Sequence, residues 1–280
     1  VNTLISAQEL HALDPKNVLI VDCRSDIADS ERAPREYARA HIPGAVYADL
    51  NRDLSDLSKQ GVGRHPLPDA AAFSRVLSRW GWTPQTFVVA YDDAGGALAA
   101  ARLWWMLRLV GGNAAVLDGG IKAWTAAGFE LTDAVESPTP SNVDVAFDAS
   151  QIVMTDELQR LRGNDRTLLL DARAAPRYRG ETEPIDPVAG HVPGARNRPF
   201  SENLAADGAF KPAASLRDGF TAVVGVHQPR DVVHMCGSGV TACHNLLAME
   251  HAGLTGSRIY APSWSGWIAD AKRDVAVGAG

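Results

Sequence analysis

The chain has 280 residues, with 27 basic against 33 acidic side chains and a net charge of -6. At ~100–200 residues per domain that length favours two domains, and 46% hydrophobic with 21% charged residues is enough apolar material for two globular cores. The mildly acidic balance speaks against a nucleic-acid binder, which needs a basic footprint, and no apolar run approaches the ~20 residues that span a bilayer.

In chain order, Val1-Asn2-Thr3-Leu4 lacks the charged and apolar stretches of a signal peptide. Ser6-Ala7-Gln8-Glu9 has the form of a capping box and predicts a first helix. Val18-Leu19-Ile20-Val21, Phe87-Val88-Val89-Ala90-Tyr91 and Ala114-Ala115-Val116-Leu117 are short uninterrupted apolar runs, the pattern of strands buried on both faces. Between the last two, residues 97–109 are rich in Ala, Leu and Trp and stop at Gly111-Gly112, which predicts a helix. Residues 133–149, with Glu136-Ser137-Pro138-Thr139-Pro140-Ser141-Asn142, have the composition of an exposed linker. Beyond it Leu168-Leu169-Leu170 and Val232-Val233-His234-Met235 predict strands, and a helix follows over about 240–251. Strands alternating with helices imply an α/β fold with a parallel sheet flanked by helices.

The second half repeats the first. His41-Ile42-Pro43-Gly44-Ala45 returns as His191-Val192-Pro193-Gly194-Ala195, and Asp22-Cys23-Arg24 as Asp171-Ala172-Arg173. Val88-Val89-Ala90-Tyr91-Asp92 answers Val232-Val233-His234-Met235-Cys236, and Trp124 answers Trp267. Two copies make two homologous domains rather than a solenoid, here 1–132 and 150–280 with the linker 133–149 between them. Pro followed by Gly suits a type II turn. Because His41 and His191 occur in both copies, they are expected to be scaffolding. Asp22 with Arg24, and Asp171 with Arg173, are expected to be ion pairs near the strand ends.

One difference between the copies carries chemistry. Cys236-Gly237-Ser238-Gly239-Val240-Thr241-Ala242 runs from a strand end through a glycine-bearing turn into a helix. Gly237 and Gly239 let the backbone curl so that the amides of the turn, with those of Val240 and Thr241, converge on an anion, and the helix adds its positive end. Cys236 therefore reads as a thiolate nucleophile in a pocket for a negatively charged group. The other copy has Asp92-Asp93-Ala94-Gly95-Gly96, with no cysteine. Cys243, about two turns into the helix, and Cys23, ending the first strand, are expected to be small packing residues. Three cysteines without framework or C-x-x-C spacing suggest a reducing, cytoplasmic setting, and no zinc-finger spacing joins them to histidine, so no metal is expected.

These motifs resemble the rhodanese superfamily: the paired His-x-Pro-Gly-Ala segments, Asp-x-Arg after a strand, Leu117-Asp118-Gly119-Gly120 with Trp124, and Ser263-Trp264-Ser265. The loop from Cys236 to Ala242 is similar to that of 3-mercaptopyruvate sulfurtransferases, whereas thiosulfate-preferring members more often carry Arg and Lys after the cysteine. The resemblance implies two tandem rhodanese-like domains, an inactive first and a catalytic second. It implies a sulfane sulfur carried as a persulfide on Cys236, taken from 3-mercaptopyruvate or thiosulfate and passed to cyanide, a small thiol or thioredoxin, without metal or organic cofactor. Arg177 matches the arginine that binds the donor's anionic end, Ser238 the serine that polarises the donor or protonates the leaving enolate, and His65 a histidine acting with that serine. Two departures stand out. The second arginine that usually follows Glu-Pro is absent after Glu183-Pro184, where Ile185-Asp186 stands. The acid expected to orient the histidine falls near Asn51 or Asp53. The rivals are a thiosulfate-specific rhodanese, a non-catalytic relay or partner-binding module, and a cysteine phosphatase. The loop's lack of a basic residue speaks against the phosphatase.

Overall fold

The computed structural model describes residues 3–162 and 166–279; the opening Val1-Asn2 lies outside the described residues. The chain divides into two compact units. The first comprises Val1–Asp56, Leu67–Asp148 and Ala206–Phe210, and the second Leu57–Pro66, Ala149–Ala205 and Lys211–Gly280. Among the described residues no helix is long and apolar enough to cross a membrane.

In the first unit the strands are β1 (Leu4–Ile5), β2 (Val18–Asp22), β3 (Ala45–Tyr47), β4 (Phe87–Tyr91) and β5 (Asn113–Leu117). They form one parallel sheet in the order β1-β5-β4-β2-β3. Its helices are α1 (Ala7–His11), α2 (Arg32–Arg39), α3 (Ala70–Arg79), α4 (Ala100–Leu109) and α5 (Gly120–Ala126). The second unit repeats this plan with β6 (Ile152–Val153), β7 (Leu168–Asp171), β8 (Arg196–Asn197), β9 (Val232–Met235) and β10 (Arg258–Tyr260) in the order β6-β10-β9-β7-β8, again parallel. Its helices are α6 (Thr155–Leu161), α7 (Ala175–Tyr178), α8 (Ala213–Val224), α9 (Thr241–His251) and α10 (Ser263–Trp267). The central strands β4 and β9 are buried along nearly their whole length, which is why they read as unbroken apolar runs.

The capping box at Ser6 and Glu9 forms as expected. Both Pro-Gly turns take the type II shape: Gly44 has φ 82° and Gly194 φ 84°, and the amides of Ala45 and Ala195 bond to Ile42 O and Val192 O at 3.0 Å. The repeated histidines are structural. His41 Nδ1 lies 2.7 Å from Tyr37 O and His191 Nδ1 2.8 Å from Tyr178 O, each ring stacked on that tyrosine. The repeated Asp-x-Arg pairs are buried ion pairs at 2.6 Å (Arg24–Asp22) and 2.7 Å (Arg173–Asp171).

One expectation needs correction. The helix predicted over 97–109 begins only at Ala100, because the Asp92 carboxylate draws the preceding amides into a turn. It accepts from Ala94 N at 2.9 Å, Gly96 N at 2.8 Å, Leu98 N at 3.0 Å and Ala100 N at 3.4 Å. The segment 133–149 is exposed along most of its length and is also tied down: Ser141 N bonds Ser78 O at 2.9 Å, Val145 N bonds Ser74 Oγ at 3.0 Å and Asp148 N bonds Leu109 O at 2.7 Å. Proline-rich composition predicts extended backbone there, but not the groups of α3 and α4 that accept its amides.

Candidate active site

Cys236 lies directly beyond the carboxyl end of β9, where ligands of parallel sheets gather. The turn over 236–240 leads into α9, with Gly239 at φ 81°. That left-handed step aims the Gly239 amide at the cysteine, donating to Sγ at 3.1 Å. Cys236 is 2% exposed, and its main-chain groups are anchored as well. Its amide donates to Ser263 Oγ at 3.1 Å, and its carbonyl accepts from Trp264 N at 2.9 Å. Ser263 has φ 52°, the left-handed region that a side chain normally avoids. The first copy puts Gly120 at the matching place, with φ 59°. Backbone strain at Ser263 is thus retained for a hydroxyl that supports the cysteine.

Of the amides expected to converge, that of Gly239 bonds the sulfur, while Gly237, Val240 and Thr241 form the rest of the turn and the helix start. Ser238 is buried, and its Oγ lies 2.8 Å from His65 Nδ1. His65 thus sits beside Ser238 within the second unit. Asp53, one of the two residues considered for orienting that histidine, instead pairs with Arg52 at 2.8 Å and Arg79 at 2.7 Å. His234, two residues before Cys236, is fully buried, and burial pushes its pKa down to about 3. It stays neutral and bonds Ser257 Oγ at 3.1 Å, so it is scaffolding rather than a proton source. Cys243 Sγ donates to Gly239 O at 3.3 Å, a packing role that also steadies the turn.

Arg177, at the end of α7, reaches the loop from the side. The Cβ position of Gly237 lies 3.6 Å from Arg177 Nη2 and 3.7 Å from Nη1, ordinary contact distance, so the guanidinium packs against the residue after the nucleophile. Glu183 holds its other edge, with Oε1 2.6 Å from Nη2 and 3.1 Å from Nε, and also takes Arg173 Nη1 at 3.5 Å. Sequence reasoning missed three members of this site: Glu183 as the brace of Arg177, Asp186, and Arg64. Asp186 Oδ2 bonds Arg177 Nη2 at 3.1 Å, while its Oδ1 pairs with Arg64 Nη1. Arg64 Nη2 would stand 3.2 Å from a Gly237 Cβ. The only sequence signal for Arg64 is its place beside His65.

Burial pushes the Glu183 carboxyl up, but hydrogen bonds from Arg177 and from the amides of Asp186 and Ile185 outweigh it, leaving the group below the ordinary carboxylate range. A depressed folded-state pKa lends stability above the unfolded value of ~4.3, lost as pH falls through the folded value. The stability gap between wild type and Glu183→Gln should therefore be constant above about pH 5 and close below about pH 4. Urea midpoints across that range check this; a gap unchanged at low pH would show that the charge of Glu183 contributes nothing.

The family model described as "Rhodanese-like domain" matches residues 6–127 and again 154–270. A Pseudomonas aeruginosa protein whose name gives 3-mercaptopyruvate sulfurtransferase as its probable activity is 48% identical over 98% of each chain. A Mycobacterium tuberculosis protein named among the thiosulfate sulfurtransferases is 38% identical over 98% of this chain and 97% of its own. The solved 3-mercaptopyruvate sulfurtransferase of Leishmania major superposes with a TM-score of 0.82 at 31% identity, covering 94% of this chain and 73% of its own.

Proposed function

The chain belongs to the rhodanese family and is a sulfurtransferase, and from that premise we propose that Cys236 is its sulfur carrier and 3-mercaptopyruvate its donor. The observation that carries this reading is the Gly239 amide aimed at Cys236 Sγ, with the Arg177 guanidinium packed against the next residue, Gly237. An amide so placed stabilises a thiolate and, after transfer, the persulfide anion. The names of the P. aeruginosa and L. major relatives support the choice of donor.

The scheme balances without a metal or organic cofactor. The Cys236 thiolate attacks the donor's thiol sulfur; an S–S bond forms, the donor's C–S bond breaks, and its electron pair leaves on pyruvate enolate. Arg177 grips the donor carboxylate by forked hydrogen bonds. Ser238, paired with His65, delivers the proton that turns the enolate into pyruvate. A thiolate acceptor, a small thiol or a thioredoxin-type dithiol, then attacks the outer sulfur and restores the Cys236 thiolate, a ping-pong cycle. Three free cysteines suit a reducing compartment such as the cytoplasm. The domain division proposed is an inactive copy before the linker and a catalytic one from about residue 150, with 57–66 contributing to the catalytic unit.

Intact mass spectrometry tests the reading. After 3-mercaptopyruvate the protein should gain one sulfur atom with release of one pyruvate, and thiol should reverse the gain. No gain with either 3-mercaptopyruvate or thiosulfate would refute the carrier role. A higher kcat/KM for thiosulfate would overturn the donor assignment alone, and loading without steady-state turnover would favour a relay module.

A further inference from the structure

We propose that Arg64 is a second donor-binding arginine, forming with Arg177 a two-guanidinium clamp that Asp186 ties together and that takes the donor's carboxylate. The inference rests on the reading of Cys236 as sulfur carrier and adds to it a residue that shapes donor preference.

Arg64 Nη2 and both Nη atoms of Arg177 lie within 4 Å of the Gly237 Cβ position, beside the cysteine. Asp186 joins both, Oδ1 to Arg64 Nη1 and Oδ2 to Arg177 Nη2 at 3.1 Å. Two guanidinium groups this close repel; a carboxylate between them holds the pair together. Glu183 takes Nε and Nη2 of Arg177. What remains is Arg177 Nη1 and Arg64 Nη2, neither with a protein acceptor among the described residues, at 3.7 Å and 3.2 Å from the Cβ position of Gly237. Arg64 Nε is also buried with no hydrogen-bond partner. Leaving a desolvated donor unpaired is unfavourable, and such groups call for an explanation. A planar carboxylate lying against both arginines beside Cys236 provides one.

The placement of Arg64 is built rather than incidental. Gly63 has φ 102°, and a Cβ there would come within 2.5 Å of Pro262 O, so only glycine lets the segment lie against this loop. The Arg64 amide donates to Ser265 Oγ at 2.9 Å, and His65 bonds Ser238. Three consecutive residues are thus fastened to the Cys236 surroundings. Arg64 comes from the segment 57–66, more than a hundred residues before Glu183-Pro184. Two arginines adjacent in space need not be adjacent in sequence.

The test compares Arg64→Met and Arg64→Lys with wild type using 3-mercaptopyruvate, measuring kcat and KM, together with titration calorimetry of the same donor into Cys236→Ser protein with and without Arg64→Met. Loss of one charge-assisted contact should raise KM and Kd about 10- to 100-fold, with the larger share of the kinetic loss in KM rather than kcat and partial recovery in the lysine variant. KM and Kd within twofold of wild type would overturn the inference while leaving the carrier reading intact. So would a loss shared by both variants together with a lowered unfolding midpoint, since that marks a structural role only. If wild type itself gains no sulfur from either donor, the carrier reading has failed, and the inference with it.

Discussion

Cys236→Ser is expected to lower turnover about 10⁴-fold, equivalent to ~5.5 kcal/mol of barrier. Serine keeps the shape, so the Ser263 and Trp264 bonds to the main chain of residue 236 should survive and stability should change by no more than ~1 kcal/mol. The loss is chemical. A hydroxyl is not appreciably ionised at neutral pH, among the described residues no side-chain base hydrogen-bonds the sulfur position, and covalent catalysis depends on an activated nucleophile. Pyruvate release from 3-mercaptopyruvate, followed with intact mass and a thermal unfolding scan, separates this from misfolding. A variant within tenfold of wild type would exclude the persulfide route.

The second large effect is expected in the other copy. Asp92 is fully buried, and its carboxyl group accepts from four alternate amides, those of Ala94, Gly96, Leu98 and Ala100. Burial pushes its pKa up even though those amides pull it down. The group therefore resists ionisation, and the stability linked to its neutral form is present below the unfolded value and lost as pH rises through the folded one. Asp92→Ala deletes the acceptor and leaves the buried amides of Gly96 and Ala100 without it. At ~1–3 kcal/mol for each stranded buried donor, less the relief of burying no charge, the variant should lose ~2–4 kcal/mol. Asp92→Asn, which keeps one accepting oxygen, should lose less. Urea unfolding followed by tryptophan fluorescence is suited to this, because Trp80, Trp82, Trp104, Trp105 and Trp124 all belong to the first unit. An Asp92→Ala midpoint equal to wild type would mean that solvent satisfies the turn as well as the carboxylate does.

The parts of the molecule governed by local rules were legible from sequence. Unbroken apolar runs predicted β2, β4, β5, β7 and β9, and the duplication predicted two similar halves, whose sheets share one strand order. The Pro-Gly turns, the stacked histidines and the Asp-x-Arg pairs followed from residue types at fixed spacing. The short β1, β3, β6, β8 and β10, of two or three residues each, carry too little periodicity to be read. Around the candidate site, Cys236 and its turn were visible because strand, glycines and helix start are contiguous. Glu183 and Asp186 were noted only as the place where an arginine is lacking. The brace on Arg177 spans only six residues but lies in a loop without periodic spacing, and the bridge from Asp186 to Arg64 crosses 122 residues, which no local pattern encodes. The late start of α4 was hidden for a related reason: helix propensity over 97–99 lost to a side chain that competes for backbone amides.

The Asp92 turn also bears on how each half responds to sulfur supply. A carboxylate oxygen tethered to its own backbone is a lodger that cannot depart, so the Asp92 turn of the first unit is indifferent to whether donor is present. In the second half the corresponding position holds a cysteine, and anything that attaches there and meets the Gly239 amide stabilises the native form alone. Heating the protein with and without donor should then raise the unfolding midpoint of the second unit.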